Sequence, residues 1–314
     1  MSFDVGEWDD DQGHNQAGFG TKRTLGQPGM SHVAVIGATC RVGSVLVDKL
    51  IGRGHTVVAI GRNPKRLEGV NQAAFHREAD FKRPQTIGQA LRGSKIVVNC
   101  AHARFTPALL RSLPESVERL VIVGSTRKFS NFQDKTVALL WAAEDALRLQ
   151  KRPWTLIQPT MIYGAGVENN IGRVVDLLKS YQYLPLPDGG KNLVQPIYYR
   201  DVAACLVAAV ERDEGLGDLV VAGPEAMTFE TVVRIAARLT GVDVKIIPVP
   251  LSVMMVGLAL AERFKVKLPI RRDELQRFGE HKAFSTSVMR GSLGVDSRPF
   301  EQGLREMLAE MGQR

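Results

Sequence analysis

Gly37, Cys40 and Gly43 stand three residues apart between an apolar run, Val33-Ala-Val-Ile, and a helical pattern through Val45, Leu46 and Leu50. At a strand–turn–helix junction of this kind, free backbone N–H groups and the positive end of the helix can hold an anion. The pyrophosphate of a dinucleotide is the anion such a junction serves. Gly37 permits the tight turn, and Gly43 lets the helix pack closely on the strand. The middle position, where backbone normally approaches pyrophosphate, carries the Cys40 side chain, which a slight shift of the loop must accommodate at some cost in affinity. The alternative reading is a pair of packing glycines with no ligand.

The next chemistry lies at the end of the second apolar run, Ala59-Ile60-Gly61-Arg62. A site for an unphosphorylated ribose needs an acid there to accept from the 2′-hydroxyl. This chain offers Gly61 and then Arg62, with Arg41 in the first loop. Two guanidinium groups suit a 2′-phosphate, so the expected cofactor is NADP(H) rather than NAD(H). Otherwise Arg62 merely opens the polar turn Arg62-Asn63-Pro64.

These residues need a scaffold, and the pattern predicts one. Strands are expected over 32–36, 56–60, 73–75, 96–99, 120–123 and 154–158, with helices over 42–53, 64–67, 86–91, 107–113 and 136–149. That rhythm implies an α/β fold, a doubly wound parallel sheet with helices on both faces. The dinucleotide-binding domain is expected over 31–160. The texture changes after Pro159: the stretch 181–187 is rich in tyrosine and proline, and Asp188-Gly-Gly reads as a turn. Residues 161–314 are expected to form a smaller C-terminal substrate region, partly interleaved with the core, as the other wall of a cleft. Residues 1–30 are polar and glycine-rich and read as a disordered tail.

Composition narrows the partners. The chain has 314 residues, 44% of them hydrophobic, and a formal net charge of +8. Its bases are scattered, without the interleaved aromatics of a nucleic-acid surface, so no nucleic-acid partner is expected. A phosphate-bearing cofactor or an anionic membrane surface suits the charge. Cys40, Cys100 and Cys205 are far apart and the six histidines dispersed. No disulfide framework or metal site is expected, and a reducing compartment, the cytoplasm, is favoured. The N-terminus, with Asp9-Asp10-Asp11, does not read as a signal or transit peptide. No apolar segment reaches membrane-spanning length; the nearest, 249–260, is broken by Pro250, Ser252 and Gly257.

Together these residues resemble an atypical short-chain dehydrogenase/reductase of the extended, epimerase-like type, and within it the NAD(P)-binding relatives of the respiratory complex I accessory subunit. Gly37-Ala-Thr39-Cys40-Arg41-Val42-Gly43 matches the family loop except at Cys40. The resemblance implies that Asp80 and Phe81 contact adenine and that Cys100 and Ala101 run beside the cofactor. It places the family's active-site serine at Ser125. The loop Pro159-Thr160-Met161-Ile162, leading to Tyr163, would pass the nicotinamide.

The family's catalytic pair, Tyr-x-x-x-Lys, is missing. With Glu144 setting the register, the tyrosine and lysine positions fall at Thr136 and Leu140; Lys135 is adjacent but off that face. Ser125 could polarise a carbonyl or be a satisfied strand-end hydroxyl. Tyr163 has a hydroxyl of the right type but also reads as a packing aromatic. His102 and Arg104 could edge the pocket. The expected function is reduction of a small organic substrate without the usual proton donor. The alternative is a non-catalytic NAD(P)H-binding subunit peripheral to a membrane complex, touching it through 251–260 and the neighbouring Arg263, Lys265 and Lys267.

Overall fold

The computed structural model describes residues 31–167, 170–264, 266 and 272–312; the expected tail at 1–30 lies outside the described residues. The first half alternates β1 (His32–Ile36), α1 (Arg41–Gly52), β2 (Thr56–Gly61), α2 (Pro64–Leu67), β3 (Phe75–Glu78), α3 (Pro84–Ala90), β4 (Ile96–Asn99), α4 (Thr106–Arg111), β5 (Arg119–Val123), α5 (Lys135–Arg148) and β6 (Trp154–Pro159). Then follow β7 (Ile162–Tyr163), α6 (Asn170–Ser180), β8 (Tyr183–Pro187), β9 (Leu193–Val194), β10 (Ile197–Tyr198), α7 (Tyr199–Val210), β11 (Gly217–Val221), β12 (Met227–Thr228), α8 (Phe229–Thr240), β13 (Lys245–Val249), α9 (Leu251–Arg263), α10 (Arg272–Arg277), α11 (Ser287–Leu293) and α12 (Phe300–Gly312).

The main sheet has seven parallel strands in the order β3-β2-β1-β4-β5-β6-β11. It is the doubly wound α/β sheet expected, but its last strand, β11, comes from beyond residue 160. Both faces are covered, so the central strands are largely apolar: Val33 and Val35 enter one core, Ala34 and Ile36 the other. Strand order reverses at β1, which pairs with β2 on one side and β4 on the other. The crevice above that reversal is where open α/β sheets bind ligands.

Two elements differ from the sequence expectation. The third strand lies at Phe75–Glu78, later than 73–75, because Asn71 folds its own side chain onto the Ala73 N–H and makes a turn there. Its Phe-His-Arg-Glu sequence has no apolar run, being an edge strand. The tyrosine- and proline-rich stretch is β8, paired in parallel with β13. Its prolines are tolerated because this two-stranded ribbon leaves β8 one free edge.

A charged cluster fastens the loop after β5 to α5. Lys128 is buried, with its Nζ 2.6 Å from Glu144 Oε2 on α5 and bonded also to Asp218 on β11. Arg148 takes the other Glu144 oxygen at 2.7 Å, and Gln158 on β6 donates to Asp218. Removing one partner of a buried pair strands the other charge. Lys128→Met should therefore cost about 3 kcal/mol in urea unfolding, and adding Glu144→Gln should restore part of it. An unchanged unfolding midpoint in the single variant would show that the cluster is not stabilising.

Candidate functional site

The glycine loop closes over the crevice by backbone contacts that leave no room for side chains. Gly37 has φ +78°, and a Cβ there would stand 2.9 Å from the Ala101 nitrogen. A Cβ on Gly43 would stand 2.4 Å from the Gly37 carbonyl oxygen. The amides of Gly37 and Ala38 both donate to the Ile60 carbonyl, at 2.9 and 3.1 Å, pinning the turn to β2. Gly61 lets Thr39 approach: a Cβ at 61 would meet the Thr39 methyl at 3.1 Å. Val42 is buried under the loop.

Cys40 is the N-cap of α1. Its backbone is extended, and its Sγ accepts from the Gly43 N–H at 3.3 Å. Its Sγ also lies 3.8 Å from the Cys100 carbonyl oxygen, across the crevice. The cysteine at the unusual position thus has a local role, supplying the acceptor a helix start needs. The bare glycines, the start of a 12-residue helix and the strand-order reversal fit a dinucleotide pyrophosphate. Asn99 Oδ1 accepts from Ala101 N at 3.0 Å and fixes the turn after β4, while its buried Nδ2 has no protein partner.

The two arginines part company. The Arg41 guanidinium pairs with Glu310 on α12 at 2.7 Å and lies over the Tyr199 ring. Arg200 and Tyr199 reach the same carboxylate, each at 2.8 Å. Burial opposes the charge on Glu310, but the hydrogen bonds from Arg200, Tyr199 and Arg41 outweigh it and hold its pKa at about 2. Arg41 is therefore bound to the C-terminal helix, a correction to the pairing of two arginines at one ribose. Arg62 is exposed just past β2. Beyond β3, Asp80 accepts from the Lys82 N–H at 3.0 Å, and Phe81 stacks flat on Phe105 with ring centroids 4.6 Å apart.

Above the ends of β4 and β5 lies a cavity of about 290 Å³ lined by Cys100, Ala101, His102, Ser125, Arg127, Thr136 and Leu140, among others. Thr136 and Leu140 sit on the first two turns of α5 and both face this cavity, as the missing-pair register requires; Lys135 is exposed and is not part of the wall. Ser125 Oγ accepts from the Arg127 N–H at 3.1 Å, which leaves its own proton to donate. His102 Nδ1 accepts from the Arg104 N–H at 3.1 Å, so the neutral ring carries its proton on Nε2. Partial desolvation, and then the charges of Arg104 and Arg127, lower the His102 pKa. Arg127 is the wall residue that the sequence reading passed over; its only signal was its place two residues after Ser125.

The structure removes Tyr163 from the proton donors. Its ring is fully buried between Tyr198 and Phe300, and its hydroxyl donates to the Phe300 carbonyl at 3.2 Å. Burial, and then the nearby Asp201 carboxylate, push its pKa upward. The segment before it is likewise built into the core beside the cavity: the Pro159 carbonyl accepts from Thr126, the Thr160 hydroxyl donates to the Gln195 carbonyl, and the Met161 carbonyl accepts from Ile197. Met161 and Ile162 are half-buried.

A family profile described as NAD(P)H-binding matches residues 37–213. An uncharacterized protein of Mycobacterium tuberculosis is 26% identical over 218 residues, 66% of this chain and 23% of that protein. The chain thus spans about a quarter of the length of that curated relative. Among solved structures, gox2253 superposes with a TM-score of 0.72 at 19% identity, covering 90% of this chain and 98% of that one. UDP-glucose 4-epimerase from Thermotoga maritima, solved with UDP-glucose, superposes with a TM-score of 0.71 at 14% identity, covering 90% and 99%. Among the described residues no helix is long and apolar enough to cross a membrane, and no group of His, Cys, Asp and Glu is arranged to hold a metal. The matched segment carries the glycine loop, the crevice and the Ser125 cavity in one run, and the chain belongs to the NAD(P)H-binding family, with a Rossmann-type fold shared with gox2253 and the Thermotoga epimerase.

Proposed function

We propose that this chain is an NADP(H)-dependent reductase of a small carbonyl-bearing organic molecule, working without the tyrosine–lysine pair. One observation carries this reading: the cavity beside the cofactor crevice keeps a free hydroxyl proton at Ser125 while Thr136 and Leu140 fill the places of the pair. Bound NADPH would supply the hydride. Ser125 donates a hydrogen bond to the carbonyl oxygen, and the neutral His102 adds a second donor on Nε2. Neither gives up its proton readily at neutral pH, so water completes the protonation. Leu140 packs with Ala103 and Ala143 and keeps that wall dry and uncharged. The enzyme then polarises and orients its substrate, and does not drive a proton to it.

NADP(H) selection falls to Arg62, because Arg41 is held by Glu310. NADPH should bind more tightly than NADH in titration calorimetry, and Arg62→Ala should narrow the gap by about 1–2 kcal/mol. Equal affinities in the unmodified protein would refute the cofactor choice.

The pyrophosphate loop has its own test. Cys40→Gly should hold or improve NADPH affinity, and Cys40→Leu should damage it by filling the approach to the phosphates. A leucine variant that binds NADPH normally would move the pyrophosphate elsewhere.

The third test is single-turnover NADPH oxidation with activated carbonyl and quinone substrates. Ser125→Ala should slow the hydride step by about a hundredfold, the loss typical of an oxyanion donor. Thr136→Ala, with cofactor binding and fold intact, should change it by no more than about threefold. A large loss in the threonine variant would make Thr136 the proton donor and overturn the assignment.

A further inference from the structure

Helix α9 is apolar on two opposite sides, and among the described residues only one has a partner. Its inner side is accounted for: Leu258 is buried, and Met254 lines an apolar cavity of about 400 Å³ with Leu177, Leu184 and Phe229. The outer side carries Val253, Val256, Leu260 and then Phe264, which are 57%, 61%, 51% and 73% exposed. At about 100° per residue these four fall within an arc of about 80°, with Gly257 at its edge. A helix facing water has no reason to line up four apolar side chains there.

The charge beside this stripe identifies what covers it. Arg263 lies on its flank and is exposed, whereas the helix's sole acid, Glu262, projects from the far side. The sequence runs on from Arg263 to Arg272 with five bases and no acid, and Arg272 opens α10 as an exposed side chain. The whole chain is positive by eight charges. An apolar stripe bordered by bases matches a bilayer of anionic lipid, whose acyl boundary takes the aliphatic side chains while its headgroups take the cations.

We propose that α9 docks the protein on anionic membrane surfaces, lying in the interface with Val253, Val256, Leu260 and Phe264 inserted and Arg263 among the headgroups. The proposal is independent of the chemistry assigned to the Ser125 cavity.

The test is flotation of the full chain with vesicles of phosphatidylcholine alone, or of phosphatidylcholine with phosphatidylglycerol. The expected result is binding to the anionic vesicles, weakened by raised salt, with little binding to the neutral ones. Val256→Ser/Leu260→Ser/Phe264→Ser should reduce anionic binding by about a hundredfold, since each side chain loses its transfer to the acyl boundary. Those positions are exposed, so NADPH binding should persist and certify the fold. Absence of binding to anionic vesicles, or equal binding by the triple variant, overturns the proposal. So does a dimer in sedimentation velocity that the triple variant abolishes while vesicles stay unbound, which would make the stripe a contact between two copies.

Discussion

The structure depends on how closely two turns of backbone can approach. The Gly37 turn presses on the Ala101 amide, and α1 presses on the Gly37 carbonyl at Gly43, with no Cβ at either place. That double contact sets the start of α1 over the β1–β4 crevice. Any side chain at 37 or 43 would push the helix off the sheet, and the cleft would open. The hydrogen bonds from Gly37 and Ala38 to Ile60 make β2 part of the same arrangement. Three neighbouring strands are thereby committed to one loop, and everything that lines the crevice takes its position from it.

At the other side of the cleft, the α5 wall is apolar, and the charge on the cavity comes from Arg127. Position 140, where the Tyr-x-x-x-Lys register would set a lysine, holds Leu140, which joins a small apolar cluster with Ala103 and Ala143. The buried lysine is Lys128, on the turn after Ser125, and its ammonium is spent on Glu144 and Asp218. A buried ion pair with several partners adds little net stability, yet it fixes geometry because breaking it is costly. Ser125 therefore sits at the end of a strand and at the start of a turn locked to α5.

Much of this was legible in the residues. Gly37 and Gly43 announce themselves because only glycine tolerates such contacts, and Glu144 fixed the register that brings Thr136 and Leu140 into the cavity. The parallel sheet followed from apolar runs buried on both faces. What escaped the sequence was long-range. Nothing near Arg41 says that a carboxylate 269 positions away will claim it. Tyr163 carries the same hydroxyl whether it meets a substrate or the Phe300 carbonyl; only packing decides. The edge strand β3 lacked an apolar signal because it is paired on one side only, and β8 hid its alternating, buried Leu184 and Leu186 among prolines that read as loop.

Cys40 shows how a departure from a motif can be tolerated. At a helix start an acceptor is needed whether or not a ligand is present, and the thiol sulfur supplies a weak one to Gly43 N–H. A cap of this kind contributes on the order of 1 kcal/mol. A phosphate oxygen on the same N–H makes a charge-assisted bond, about twice as strong as a neutral one. In the proposed site the cap would yield to a bound phosphate, and without one it serves the fold. Its cost in the proposed site would lie in the volume of the sulfur, which would hold the backbone off from the pyrophosphate by part of a side chain. Since Arg41 is tied to Glu310, no cation from this loop makes up for that distance. Cofactor affinity must then come from the helix start, the bare glycines and contacts further along the crevice.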